Sequence, residues 1–459
     1  MTRKFFLAMA LATALSSSAE KTGAITPEML DCFKASYQDN ASNRAIHNAL
    51  NATGINKIAF NEKVRNNFDD HFSHKVKTQG ITDQKASGRC WLFTSLNMLR
   101  AQAMAEHDLP QLTFSQNYNF FYDQLEKANL FLQSVIDTSD LPMTDRQVEW
   151  LFKNPLSDGG TFCGAIDLIT KYGVVPSEVM AETEVANNTA TFSRLLSSKL
   201  REDGLRLRNA KATGKKGADL KDLKKEQLAE VYRFLALALG EPPTEFKWTR
   251  RDKEGNAVET KDYTPESFFN EYLGNDLKNG YVMLMNDPSR DYWKVYRIDY
   301  DRHSYDGMDW TFLNVPMEDI KKAAIESIKD STAMYFSCDV GKVLDKERGT
   351  LDTENYDYES LFGTHFGMDK AERIATWDSA SAHAMTLSGV DLDEDGSPKK
   401  WLIENSWGNV GQNGYLIATD KWMDEYLFRL VIEKKYASPK ILKAMEQKPI
   451  ALPSWDVLF

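Results

Sequence analysis

Through much of its first half the chain places apolar residues at helical spacing. Thr26-Pro27-Glu28 supplies a cap and a first-turn proline, and the polar stretch that follows, to about Asn67, reads mostly helical. A helix is predicted within Ile81–Met104, another from Ser115 to Leu132, and a third over Thr161–Tyr172, stopped by Gly173. The aromatics of Phe114–Phe121 fall on one helical face, the mark of core packing. A charged segment from 185 to about 245 turns apolar at Leu228–Leu239 and stops at Gly240, ahead of Pro242-Pro243. Farther on, Tyr281–Met285, Tyr292–Tyr300, Trp310–Val315 and Ala333–Val340 alternate or run apolar with β-branched and aromatic content, the pattern of strands. Met317–Ser327 reads as a helix between them. His383–Val390 and Trp401–Asn405 are predicted to form a hairpin around Asp391–Gly396. That turn imitates the start of a calcium loop, but its twelfth position is Leu402 where a bidentate Glu is needed, so calcium is rejected.

Length and charge narrow the classes. At 459 residues the chain holds more than one domain, or one with large insertions. A net charge of −11 repels polyphosphate. Lys211, Lys215, Lys216, Lys221, Lys224 and Lys225, interleaved with Asp219, Asp222 and Glu226, therefore read as a solvated face before a nucleic-acid site. Gly214-Lys215-Lys216-Gly217 lacks the spacing of a phosphate loop. Cys32, Cys90, Cys163 and Cys338 make neither a disulfide framework nor a zinc pattern. His71 and His74 lack a third ligand and a general-base Glu, and read as a solvated helical face. No metal and no cofactor is expected. Arg3-Lys4, the apolar run Phe5–Leu15 and the small residues Ser16–Ala19 match a secretory signal peptide over residues 1–19, with Ser17 and Ala19 at the −3 and −1 positions. Export to a periplasm or beyond follows; the alternative is a frayed apolar helix on a cytoplasmic protein. The run is too short to span a bilayer, and no later segment does better. Asn40, Asn51 and Asn187 open glycosylation sequons, meaningful only in a eukaryotic secretory host.

The candidate chemistry centres on Asp83–Phe93. Cys90 follows the turn-prone Ala86-Ser87-Gly88 and precedes a helix, so its sulfur lies near unpaired N–H groups that favour a thiolate. Gln84 offers an amide donor for an oxyanion. Taken alone, Cys90 serves equally well as a buried structural cysteine. Of seven histidines only His383 begins a strand-like run before a turn and a second strand, which makes Asn405 its cross-strand neighbour. An Asn there fixes the imidazole tautomer, and Trp407 can shield that bond from water. Gly159-Gly160 is a loop that either turns the chain or lets an extended ligand approach its backbone.

Gln84…Gly88-Arg89-Cys90-Trp91, Ser381-Ala382-His383-Ala384 and Glu404-Asn405-Ser406-Trp407-Gly408 resemble the Cys, His and Asn signatures of the papain superfamily. His383 follows Cys90 by 293 positions (383 − 90), against a usual spacing of about 130–150 residues. The long insertion, with Gly80–Gln84, Phe120–Asn129, Asp158–Gly160, Lys171–Pro176 and Met283–Pro288, is similar to the bleomycin hydrolase and bacterial aminopeptidase C family. That resemblance implies an α+β, papain-like, two-lobed cysteine peptidase: a helical lobe (77–184) with Cys90 and a β-rich lobe (331–450) with His383 and Asn405. A helical extension (20–76) and a mainly helical insertion (185–330) that serves oligomerisation complete the body. It further implies a homohexamer, and a tail (451–459) lying in the cleft. The ending Leu452-Pro453-Ser454-Trp455-Asp456-Val457-Leu458-Phe459 is similar to the family's Leu-Pro-x-Trp-Asp ending. The carboxylate of Phe459 would then meet the free α-amino group of a peptide substrate, making an aminopeptidase. The site implied is Cys90, His383, Asn405 and Gln84 for catalysis, with Gly159, Gly160, Trp407 and Phe459 for substrate. The bulk of Val457-Leu458-Phe459 leaves an endopeptidase as the alternative, and a nucleic-acid-binding role through Lys211–Lys225 as one from another class.

Overall fold

The structure, a computed structural model, describes residues 23–65, 68–78, 80–274 and 276–458. The leader expected at 1–19 and the substrate role expected of Phe459 lie outside the described residues. Helices α1 (Pro27–Ser36), α2 (Ala41–Ala52) and α3 (Ile55–Ala59) open the described chain. Thr26 and Asn40 cap the first two, accepting from the N–H groups of Met29 and Asn43. A two-residue strand, β1 (His74–Lys75), follows. It overturns the helical reading of His71 and His74: His74 pairs with Val390 in an antiparallel ladder, and that ladder prevails over the local spacing.

The helical side is built from α4 (Cys90–Glu106), α5 (Gln116–Asp137), α6 (Arg146–Lys153) and α7 (Phe162–Tyr172). Every residue of α4 from Trp91 to Arg100 is buried, including Thr94, Ser95, Asn97 and Arg100, whose side chains are hydrogen-bonded. Gly173 ends α7 with φ of 74°, a left-handed conformation that suits glycine. Helices α8 (Glu184–Asn187), α9 (Ala190–Ala212) and α10 (Ala218–Leu239) follow, and α9 and α10 pack on α5. A ribbon of β2 (Phe246–Arg251) and β3 (Ala257–Tyr263), whose largely charged sequence concealed it, leads to α11 (Pro265–Tyr272).

The remaining chain supplies eleven strands of a twelve-stranded sheet. These are β4 (Tyr281–Met285), β5 (Lys294–Ile298), β6 (Thr311–Asn314), β7 (Met334–Cys338), β8 (Leu344–Asp345), β9 (Thr350–Leu351), β10 (His383–Leu392), β11 (Pro398–Glu404), β12 (Tyr415–Thr419), β13 (Leu427–Glu433) and β14 (Ile450–Leu452). They run in the order β14-β5-β6-β4-β13-β7-β10-β11-β12-β9-β8, with β1 beside β10. Strands β4–β6, which the sequence reading assigns to the insertion, thus share a sheet with β7 and β10. The helical part of that segment is α8–α11, and α12 (Met317–Lys329) sits between β6 and β7. One core, with Trp91, Leu96, Phe120, Phe121 and Phe131, lies on the helical side. The other, with Leu284, Phe336, Met385, Trp401 and Leu430, lies within the strand side. Each such side chain contributes about 1.5–3 kcal/mol through burial. The cleft opens where the two sides meet.

Candidate active site

Helix α4 begins at Cys90, with Arg89 as its cap residue and no side chain capping it. Arg89 is fully buried; its guanidinium forks onto Glu182 at 3.1 and 2.7 Å and stacks over Phe93 and Phe120. The start of the helix is therefore anchored from behind. On its outer side, Thr94 donates to the Ala384 carbonyl at 3.0 Å, so α4 is held directly against β10, which opens with His383.

His383 pairs in register with Cys338, and Thr386 with Glu404. Asn405 therefore stands just past the end of β11, diagonal to His383 and not directly opposite. The side chains close the gap: His383 Nε2 lies 2.8 Å from Asn405 Oδ1. The Ser406 N–H donates to the same oxygen at 2.8 Å, which identifies it as the carbonyl end of the amide. His383 must then donate from Nε2, which leaves Nδ1 as the basic nitrogen. Trp407 lies over the imidazole, ring centroids 4.8 Å apart and planes at 27°. Both His383 and Asn405 are buried.

Gln84 is stitched to the same corner. Its N–H donates to the Ser406 carbonyl at 2.8 Å, and its Oε1 accepts from the Ser406 hydroxyl at 2.7 Å. Nε2 gives one hydrogen to the Ser87 carbonyl at 2.6 Å, and the amide has a second. Gln84, Cys90, Gly159, Gly160, His383 and Trp407 all line one cavity of about 560 Å³. Among the described residues no group of three or more His, Cys, Asp or Glu is placed to hold a metal ion.

The model of the peptidase C1-like family matches residues 24–459. The chain is 39% identical over 435 residues to aminopeptidase G of Lactobacillus delbrueckii subsp. lactis, covering 95% of this chain and 99% of that one. It is 38% identical over 435 residues to aminopeptidase C of Listeria monocytogenes, covering 94% and 98%. Among solved structures it resembles pepw from Lactobacillus rhamnosis with a TM-score of 0.91 at 37% identity, covering 95% and 99%. The chain belongs to the peptidase C1-like family.

Within this family member, burial sets the resting protonation. Loss of solvent pushes the Cys90 thiol up to about 11, and the Asp158 carboxylate adds to the rise against backbone N–H groups that oppose it. Loss of solvent likewise pushes His383 down to about 4, against the bond to Asn405. Taken group by group, burial thus opposes the lowered thiol expected at a helix N-terminus, and the backbone hydrogen bonds to the sulfur offset only part of it.

The glycine pair divides in two. A Cβ on Gly160 would stand 2.1 Å from His303 Cε1 and 2.7 Å from Trp91 Cε2, whereas on Gly159 it would meet only Ser157 Oγ at 3.8 Å. Gly160 is small because of what lies behind it; Gly159 faces open space. The support behind is absent from the sequence reading. His303 is buried, its Nδ1 2.6 Å from Asp123, and its Nε2 accepts the Thr161 N–H at 3.1 Å. Lys127 pairs with Asp123 at 2.9 Å and donates to the carbonyls of Ser157 at 3.1 Å and Gly159 at 2.5 Å. Asp158 accepts the Gly88 N–H at 2.6 Å through its side chain and the Trp91 indole N–H at 2.9 Å through its carbonyl. Asp158 opens the Asp-Gly-Gly run, which was the one available signal; His303 passed as one histidine of seven.

The end of the chain approaches the same cavity. Strand β14 runs parallel to β5. Trp455 lies under Arg146 at 4.2 Å, and Asp456 pairs with Arg290 at 2.8 Å. Leu458 is buried, and its carbonyl accepts from Arg429, a residue that lines the cavity.

Proposed function

We propose that the protein is a cysteine aminopeptidase, with Cys90 as nucleophile, His383 as general base and acid, Asn405 as its positioning partner and Gln84 as oxyanion donor. The observation that carries this reading is the His383–Asn405 bond of 2.8 Å, made through Nε2 so that Nδ1 is free, on a cavity that also holds the first residue of α4. Thiol and imidazole start neutral. His383 Nδ1 takes the Cys90 proton as the sulfur attacks the scissile carbonyl. The two charges arise together, so their attraction offsets the burial that disfavours each alone. Oxygen of the tetrahedral intermediate accepts from the free Gln84 Nε2–H and the Cys90 N–H. His383 then protonates the leaving amine, and water activated by the same imidazole hydrolyses the thioester.

Gly159, open on its cavity side, docks the substrate backbone, and Trp407 keeps water from the His383–Asn405 bond. The exopeptidase restriction is supported by the tail, whose Leu458 is held by cavity-lining Arg429 and so brings the end of the chain towards the cleft. Relatives named aminopeptidase C and G over nearly the whole chain support the same reading. The lysine cluster supports no second role: Lys211 pairs with Asp140 at 2.6 Å, and Lys224 bonds Asn129 and Gln133 on α5. Assembly as a homohexamer and export through the leader complete the proposal; sedimentation of the full chain and N-terminal sequencing of the mature protein test them.

Cleavage of a free-amine peptide amide against its N-acetylated twin tests the function. Preference for the free amine by on the order of 100-fold or more is expected. Equal cleavage would make the protein an endopeptidase instead.

A further inference from the structure

Residues 299–309 connect β5 to β6 and pass behind the glycine edge. His303 clamps this loop to Thr161, and the Asp301 carbonyl accepts the Trp310 N–H at 2.8 Å, closing its base. Asp301 therefore has a fixed place on the cavity that Gly160 also lines. It is 7% exposed and lines the same cavity as Cys90. Its side chain has no ion-pair partner among the described residues, and Oδ2 is shut from solvent without a hydrogen bond.

The surrounding cations have partners of their own and none forms an ion pair with Asp301 among the described residues, although Arg302 and Arg429 each keep a buried Nε without a hydrogen bond. Lys127 holds Asp123, Ser157 and Gly159; Arg302 holds Asp309 at 2.7 Å; Arg429 holds the Leu458 carbonyl and lies over Trp310 and Phe312. A buried carboxylate with unmade bonds is costly, and the cost is relieved by a ligand that brings N–H donors and positive charge. A single carboxylate among three cations is no metal site. A tetrahedral ammonium, with three donors, suits it.

We propose that Asp301 is a receptor in the cleft for an ammonium group of the substrate, additional to the Phe459 carboxylate that the family resemblance implies, and so a specificity-determining residue. This rests on the peptidase reading of the same cleft. The ammonium comes either from the substrate's α-amino group or from a lysine side chain near the scissile bond, and substrate choice separates the two.

The experiment uses the full-length protein and its Asp301→Asn variant, which keeps shape and loses charge. Each is assayed on norleucyl and lysyl arylamides with free α-amines, and on their N-acetylated twins. If the α-ammonium is the ligand, Asp301→Asn lowers the free-over-acetylated ratio of kcat/KM on the order of 10- to 100-fold, chiefly through KM. If a side-chain ammonium is the ligand, the lysyl-over-norleucyl ratio falls by that factor and the other ratio holds. Asp301→Glu, which restores the charge, recovers part of whichever ratio fell. Both ratios within about twofold of wild type in a variant of unchanged Tm, or a uniform fall in kcat on all four substrates, would overturn the proposal. A wild-type enzyme indifferent to acetylation would overturn the aminopeptidase reading alone, and the lysyl arm would still judge Asp301.

Wild-type protein provides a second readout that needs no variant. Burial raises Asp301 to about 6, with Asp309 adding to the rise and Arg429 and Lys127 opposing it. The affected ratio should decline as pH falls through about 6, since the neutral acid no longer attracts an ammonium. Steps at Cys90 and His383 cancel in a ratio of two substrates. A ratio flat from about pH 5 to 8 would count against Asp301 as firmly as the silent variant.

Discussion

The wall of the cleft that carries His383 and the wall that carries Gly159 and Gly160 hold their groups by different means. On the first, position follows from strand register. β10 and β11 are neighbours in sequence, and the bond from His383 to Asn405 spans 22 residues of chain. On the second, position follows from side chains brought together from far apart. Asp123 and Lys127 come from α5, Gly160 from the loop before α7, and His303 from the loop between β5 and β6. A ladder of backbone bonds tolerates many sequences, whereas a packed ring against a glycine tolerates few. Damage to the first wall should therefore appear as lost chemistry, and damage to the second as lost stability and substrate fit.

Several substitutions separate those outcomes. The largest effect is expected for Cys90→Ala, which should lower turnover by at least about 10⁴ while leaving Tm in place; retained hydrolysis, checked with a burst titration, would remove Cys90 from the chemistry. Gln84→Ala should cost on the order of 10²–10³ in kcat with KM little changed, measured at saturating substrate. On the other wall, Gly160→Ala should destabilise the fold by about 1–3 kcal/mol in a denaturant melt, because the new methyl meets the His303 ring and the Trp91 indole. Gly159→Ala is the control: its Cβ meets nothing closer than 3.8 Å, so Tm should hold while KM for peptides rises. Equal loss of stability in both would end the distinction between the two glycines.

The smallest effect is predicted for pH. With His383 lowered to about 4 and Cys90 raised to about 11, the pair keeps one shared proton count between those limits. Protonation of His383 removes the base as pH falls through about 4. Alkylation of Cys90 by a neutral reagent, followed on the Cys90 peptide, should change by less than about twofold between pH 6 and 9. A limb near the ordinary histidine value would show that solvent reaches the imidazole.

How much of this was legible follows the same division. Cys90, His383 and Asn405 sit at the ends of regular elements, where a helix start or a hairpin is written in a few adjacent residues. The β4–β6 strands were legible as strands, but not the pairing of β4 with β13, because pairing across more than a hundred residues leaves no local trace. His74 was misplaced on a helix for a similar reason: its partner is Val390. Asp123 sits in an aromatic helical run where a carboxylate ordinarily marks the solvent face. Its burial becomes intelligible only once His303 and Lys127 stand beside it. Asp301 gave no sign at all, since an unpaired buried carboxylate is defined by what does not surround it.

The contact between Gly160 and His303 carries a consequence for descent. Two positions 143 residues apart (303 − 160) occupy one volume, so neither can drift alone. A lineage that enlarges the side chain at Gly160 must first, or at once, shrink the ring at His303. A lineage that loses the ring releases the glycine from its steric duty. Paired columns at these positions should therefore change together across relatives, while Gly159, free of any such neighbour, should follow only the peptides each enzyme meets.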